Sequence, residues 1–218
     1  MNLFKGNENW EDKLKPILNK YSRKKHPLEY QNTYQLLVMV VLSAQDSDAN
    51  INKIAPALFE VFPNMKSLSV SNVEELLPYI AKVRNYTTKA NWLIEIAQEI
   101  KEDNAIPMNL KDLIALKGIG RKSANVILHE SQKPAEGIIA DLHVIRVAPR
   151  IGIIPETKDG LKAEKLLMAA IKRSIWDEIG MAISFLGRET CRPKPKCYEC
   201  LITEHCSYFR QTKLNPLF

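Results

Sequence analysis

Between two stretches of helical apolar spacing the chain runs Leu116-Lys117-Gly118-Ile119-Gly120-Arg121-Lys122-Ser123-Ala124. Glycine lacks a Cβ and tolerates positive φ, so Gly118 and Gly120 permit a tight turn that another backbone or a phosphate can approach closely. Leu110, Leu113, Ile114 and Leu116 carry the rhythm on one side; Ala124, Val126, Ile127 and Leu128 carry it on the other. The unit reads as helix, tight turn, helix, and the second helix begins with amides that have no acceptor within it. Such amides suit an anion, and the sugar-phosphate backbone of a nucleic acid is one. Lys117, Arg121 and Lys122 crowd the same turn. Lys122 falls in the first turn of the second helix, where the positive end of the dipole disfavours a cation. A lysine nucleophile needs that push, because the neutral amine is the attacking species. Simple phosphate contact by Lys122 stays open as the alternative.

The four cysteines are confined to residues 191–206, spaced Cys191-x5-Cys197-x2-Cys200-x5-Cys206. A secreted disulfide protein spreads its cysteines to close loops; four thiols in one short segment point to a metal or cluster cage. Both a structural zinc and an iron–sulfur cluster take four thiolates, and the uneven spacing leaves both possible. The start of the chain has no secretory signal pattern. The longest apolar run, Leu36 to Leu42, is too short to cross a bilayer, so a cytoplasmic protein without a membrane anchor is expected. The net charge of +6, from 31 Lys and Arg against 25 acids, favours polyanionic partners without demanding one.

Apolar periodicity is helical almost throughout, with expected helices over 10–21, 32–42, 48–61, 73–79, 87–101, 141–151, 161–173 and 175–186 besides the pair flanking the turn. Asp48 is the expected N-cap of the third, and prolines fall mostly between segments. No alternating strand pattern occurs, so the fold class is all-α. Residues 27–135 are expected to form a six-helix domain containing the turn. Residues 1–26 and 136–218 are expected to form a second lobe with the cysteine loop, and a cleft between lobes would bring Asp141 towards Lys122. Asp141 precedes the apolar helical run Leu142 to Val147, where an N-cap role competes with a catalytic one. His129 and His143 lack metal-ligand spacing and read as structural or DNA-facing.

Several of these segments together resemble bacterial endonuclease III, a family of DNA glycosylases in the helix-hairpin-helix superfamily. The likeness runs from about residue 30 to 208. It rests on Leu42-Ser43-Ala44-Gln45, the glycine turn through Lys122, Ala140-Asp141-Leu142-His143-Val144-Ile145-Arg146-Val147, and Gly187-Arg188 with the cysteine cage. The resemblance implies a two-lobed fold binding damaged double-stranded DNA in its cleft, as a monomer by default, and a [4Fe–4S] cluster on Cys191, Cys197, Cys200 and Cys206. It implies that Lys122 forms a Schiff base with the damaged nucleotide and that Asp141 assists, so that oxidised pyrimidines are removed and the strand is cut 3′ to the lesion. It further implies DNA contacts from Gln45, Gly118, Gly120 and Arg121. His143, Arg84, Asn85 and the cluster-loop residues Lys194 and Lys196 join them as candidate DNA contacts. Lysine at position 122 favours lyase activity, since monofunctional relatives usually lack it.

Three departures qualify the likeness. The Cys191–Cys197 spacing is one residue shorter than usual in the family. Val83-Arg84-Asn85-Tyr86 replaces a Gly-Leu-Tyr-Asn segment whose leucine wedges into DNA, and Leu142 stands where threonine is usual. These leave open a divergent paralogue acting mainly as an abasic-site lyase or on another damaged base; a non-catalytic DNA-binding module is the rival from outside enzymology. Purified protein is expected to show a visible thiolate-to-iron absorption band, and a colourless protein carrying stoichiometric zinc would overturn the cluster assignment.

Overall fold

The computed structural model describes residues 9–214, and no strand occurs among them. Twelve α-helices follow in order: α1 Trp10–Tyr21, α2 Thr33–Ser43, α3 Asp48–Val61, α4 Met65–Ser69, α5 Val73–Ile80, α6 Tyr86–Ile100, α7 Leu110–Ala115, α8 Arg121–Glu130, α9 Leu142–Ile151, α10 Gly160–Ala170, α11 Trp176–Glu189 and α12 Ser207–Leu214. The chain divides into two compact units. One is Lys25–Pro134; the other combines the described residues up to Lys24 with those from Ala135 onward.

The Lys25–Pro134 unit holds seven helices, α2 to α8, where six were expected; the short α4 has too few residues to show a period. Its centre is α2. Tyr34 and the run Leu36 to Leu42 are all buried, which explains why that run shows no polar face. An all-apolar helix is a core helix. Asparagines start four of the helices: Asn32, Asn64, Asn72 and Asn109 each accept a first-turn amide through the side chain. Such caps satisfy donors the helix itself cannot. The start of α3 corrects the expectation, because Ser47, not Asp48, is the cap and accepts from Asn50 N at 3.2 Å.

In the other unit, α11 is the spine, with every residue from Ile179 to Gly187 buried. Helix α1 belongs here despite its distance in sequence. Leu14 and Ile17 are fully buried, and the Tyr21 ring lies 5.6 Å from Phe185. The Tyr21 hydroxyl donates to Glu189 at 2.9 Å, and Lys20 and Lys24 also pair with that carboxylate. Helix α10 stops at Ala170, short of the expected Arg173, which instead opens a 3₁₀ turn, Arg173–Ile175. Two further 3₁₀ turns, Cys197–Glu199 and Thr203–His205, shape the cysteine loop before α12.

Candidate catalytic and DNA-binding site

The glycine turn joins α7 to α8. Gly118 has φ +74°, and a Cβ there would run into the Trp92 ring of α6. Gly120, which tolerates positive φ equally, does not adopt it. It is extended at φ −89°, caps α8, and a Cβ on it would meet nothing within 4 Å. Having no side chain, Gly120 makes no side-chain cap bond to α8. Lys122 is exposed in that first turn and Arg121 is half-buried beside it.

Two loops of the same unit carry the other expected contacts, and each contains a left-handed non-glycine residue: Gln45 at φ +59° and Asn85 at φ +57°. Gln45, Arg84 and Asn85 are exposed. Asn85 begins α6 but makes no side-chain cap bond, unlike the four capping asparagines of this unit. Three residues that the motif reading overlooked fasten these loops together. Lys89, buried in α6, donates from Nζ to the carbonyls of Leu42 at 2.8 Å and Ala44 at 2.6 Å. Asp46 accepts from the Arg84 amide at 2.8 Å, the Ser47 amide at 2.8 Å and Asn50 Nδ2 at 3.0 Å. Asn50 Nδ2 also donates to Lys82 O at 3.1 Å. Burial lowers the Lys89 pKa, partly offset by the Asp46 charge. Burial alone would raise the Asp46 pKa, but its hydrogen bonds and the Lys89 charge bring it below the ordinary carboxylate value. One signal for Lys89 was available: with Leu93, Ile96 and Ile100 it falls on the buried stripe of α6.

Asp141 lies in the other unit and does cap α9. Its Oδ1 accepts from the His143 amide at 2.8 Å and the Val144 amide at 2.9 Å. Its Oδ2 accepts from Ser184 Oγ at 2.6 Å. His143 is half-buried, its Nδ1 3.2 Å from Arg146 Nη2. Arg146 also donates to Gly187 O at 3.0 Å and Cys191 O at 3.3 Å.

The cysteine loop folds against the far end of α9. Arg150 donates to Arg192 O at 2.7 Å and Pro193 O at 3.1 Å, with Nη1 3.7 Å from Cys191 Sγ. Its guanidinium sits 5.1 Å from the Tyr208 ring centre, and the Cys206 thiol donates to Arg150 O at 3.4 Å. Burial raises the pKa of both the Cys197 and Cys200 thiols; charge on neighbouring cysteines adds to the rise, while Arg150 opposes it at Cys197 and the Ile202 amide opposes it at Cys200. Among the described residues no three His, Cys, Asp or Glu side chains converge tightly enough to hold one metal ion. The donor set, four free cysteines on one loop with the Arg150 guanidinium against Cys191, fits an anionic cluster cage. Lys194 and Lys196 on this loop are exposed, with Lys196 3.5 Å from Glu199.

A glycine-capped helix start, an exposed lysine in its first turn and a four-cysteine loop are the features by which the helix-hairpin-helix class is compared. Residues 38–173 match the family described as HhH-GPD superfamily base excision DNA repair protein. Endonuclease III of Synechocystis is 34% identical over 182 residues, covering 82% of this chain and 83% of the relative. That of Thermotoga maritima is 31% identical, covering 86% and 90%. The chain belongs to this superfamily and, within it, to the endonuclease III family. A solved trapped covalent intermediate of endonuclease III with DNA superposes with TM-score 0.82 at 29% identity, covering 94% of this chain and 97% of that one. A thermostable thymine-DNA glycosylase shares the fold, with TM-score 0.78 at 18% identity. No described helix is long and apolar enough to cross a membrane.

Gly118→Ala combines a strained φ with a clash against Trp92, so it is expected to cost about 2 kcal/mol or more in denaturant unfolding. Lys89→Met leaves two carbonyls without their charged donor and is expected to cost about 2 kcal/mol in the same assay. It is also expected to speed hydrogen exchange at the Gln45 loop.

Proposed function

We propose that the chain removes oxidised pyrimidines from duplex DNA with Lys122 as nucleophile and Asp141 as its partner. Base-excision glycosylase and abasic-site lyase activity is what membership of the endonuclease III family carries. The observation that supports Lys122 is its place: exposed, on the first turn of a helix whose cap residue is a glycine with no side chain. The amides of that first turn, with Arg121, can hold a backbone phosphate. The target nucleotide must leave the stack to reach a side chain.

Once there, neutral Lys122 Nζ attacks C1′ as the glycosidic C1′–N bond breaks and the base departs with the electron pair. Nζ gives up a proton to the departing base; the C1′–O4′ bond then breaks, O4′ takes up a proton, and a protonated imine is left between Nζ and C1′. Loss of a C2′ proton then expels the 3′-phosphate, which cuts the strand 3′ to the lesion. Asp141, an anion fixed at the start of α9, stabilises the positive charge that develops on the sugar as the base leaves. A relative trapped covalently on DNA supports this chemistry. Gln45, Arg84 and Asn85 are the residues that would enter the space left by the flipped nucleotide. Asn85, its amide free of capping, would hydrogen-bond where an apolar wedge would stack. His143, Lys194 and Lys196 would add contacts to the DNA backbone.

Cys191, Cys197, Cys200 and Cys206 would hold a [4Fe–4S] cluster, which supplies structure and DNA orientation to the loop rather than a reacting group. The bacterial relatives support action in the cytoplasm, at the nucleoid. The Arg84-Asn85 pair favours one second reading, a paralogue acting mainly on abasic sites or on another damaged base.

Borohydride trapping on duplexes carrying thymine glycol or an abasic site tests these readings. A covalent adduct on both duplexes with wild type, lost in Lys122→Ala, is expected. Adduct on the abasic duplex alone would favour the second reading. An undiminished adduct in Lys122→Ala would remove Lys122 from the chemistry.

A further inference from the structure

The second oxygen of Asp141 is held by a residue that nothing in the motifs points to. Ser184 lies in the middle of α11, fully buried, between Ile183 and Phe185. A serine inside a helix ordinarily turns back to the carbonyl one turn earlier. Here its hydroxyl instead crosses to Asp141 Oδ2 at 2.6 Å, forty-three residues away in sequence. A hydroxyl enclosed in an apolar core is costly unless it has a partner, and this one has a carboxylate.

Two features of α11 make the reach possible. Gly180, one turn before Ser184, faces Ile139; a Cβ on it would lie 2.7 Å from Ile139 O and 2.9 Å from Ile139 N. Gly187, three residues after Ser184, faces α9; a Cβ there would lie 2.9 Å from His143 Cβ. Residues spaced four and three apart share a helix face. The two glycines therefore let α11 press against the chain on both sides of Asp141, and Ser184 is the polar atom brought to its carboxylate.

Capping does not call for this bond. Asp159 caps α10 through the same pair of amide contacts, to Leu161 at 2.8 Å and Lys162 at 3.2 Å, on the exposed surface. A cap through one oxygen leaves the carboxylate torsion broad. A bond to the other oxygen fixes the plane.

We propose that Ser184 is a positioning residue for base excision: it holds the Asp141 carboxylate in the one orientation that faces the developing charge on the sugar. This rests on the reading that Asp141 takes part in that step. Misorientation of a charge-stabilising group costs rate rather than binding, because the stabilisation is made in the transition state.

The test is single-turnover base release from a thymine glycol duplex at saturating protein. Wild type is compared with Ser184→Ala, Ser184→Thr, Asp141→Asn and the double variant Ser184→Ala/Asp141→Asn. DNA affinity, melting temperature and the visible band are measured alongside. Ser184→Ala is expected to slow base release about tenfold at unchanged DNA affinity. Ser184→Thr, which keeps the hydroxyl, is expected to restore the rate. The double variant is expected to be no slower than Asp141→Asn, since a residue acting through another contributes nothing once that partner is gone. Ser184→Cys, close in volume but a weak donor, repeats the comparison if alanine loses the fold. A wild-type rate in Ser184→Ala alongside a crippled Asp141→Asn would overturn the proposal and leave the role of Asp141 standing. An equal loss in both backgrounds would also overturn it, by making Ser184 a general packing residue. A wild-type rate in Asp141→Asn would sink the reading of Asp141 itself, and the proposal with it.

Discussion

A helix begins with amides that nothing inside it can satisfy, and how each start is closed organises this protein. Asn32, Asn64, Asn72 and Asn109 close four helices with their own side chains, and those ends are structural. Gly120 has no side chain to offer, so α8 begins without a side-chain cap, with Lys122 exposed in its first turn. Asp141 closes α9 with a charge. Its second oxygen takes no part in the cap and accepts from Ser184 instead.

Helix α9 carries two jobs at its two ends. Its start holds Asp141, and its last turns send Arg146 and Arg150 to the carbonyls of Gly187, Cys191, Arg192 and Pro193. A cage of thiolates is an accumulation of negative charge, and guanidinium groups with planar donor forks are suited to hold the loop around it. The cysteine loop is thereby tied to the element that orients Asp141, which gives the proposed cluster a structural route to the site without a part in the reaction.

In the Lys25–Pro134 unit the same economy applies to loops. Left-handed backbone at Gln45 and Asn85 is unfavourable for residues with a Cβ and persists where surroundings over-determine it. Lys89 and Asp46 supply that over-determination, Lys89 through the carbonyls on the Gln45 side and Asp46 through the Arg84 amide. The exposed side chains of both loops are thus presented from one braced platform.

Much of this was legible in the residues. The helical class, the helix-turn-helix unit, Lys122 at the head of α8, Asp141 as a cap and the confined cysteines all follow from local spacing, because periodicity, caps and ligand motifs are written within a few residues. Helix ends were less legible: Ser47 and Asp48 are both good caps, and a short helix such as α4 has no period to read. Ser184, Lys89 and Asp46 escaped the motif reading, since a serine in an apolar run or a lysine on a buried stripe discloses no partner. Their partners stand 43, 47 and 38 residues away. The amino-acid sequence by itself determined which helices form and which residue types could do the chemistry. Only the tertiary structure decided which buried donors hold the Asp141 carboxylate and the Gln45 loop in place, because hydrogen bonds between distant residues depend on how closely the helices pack.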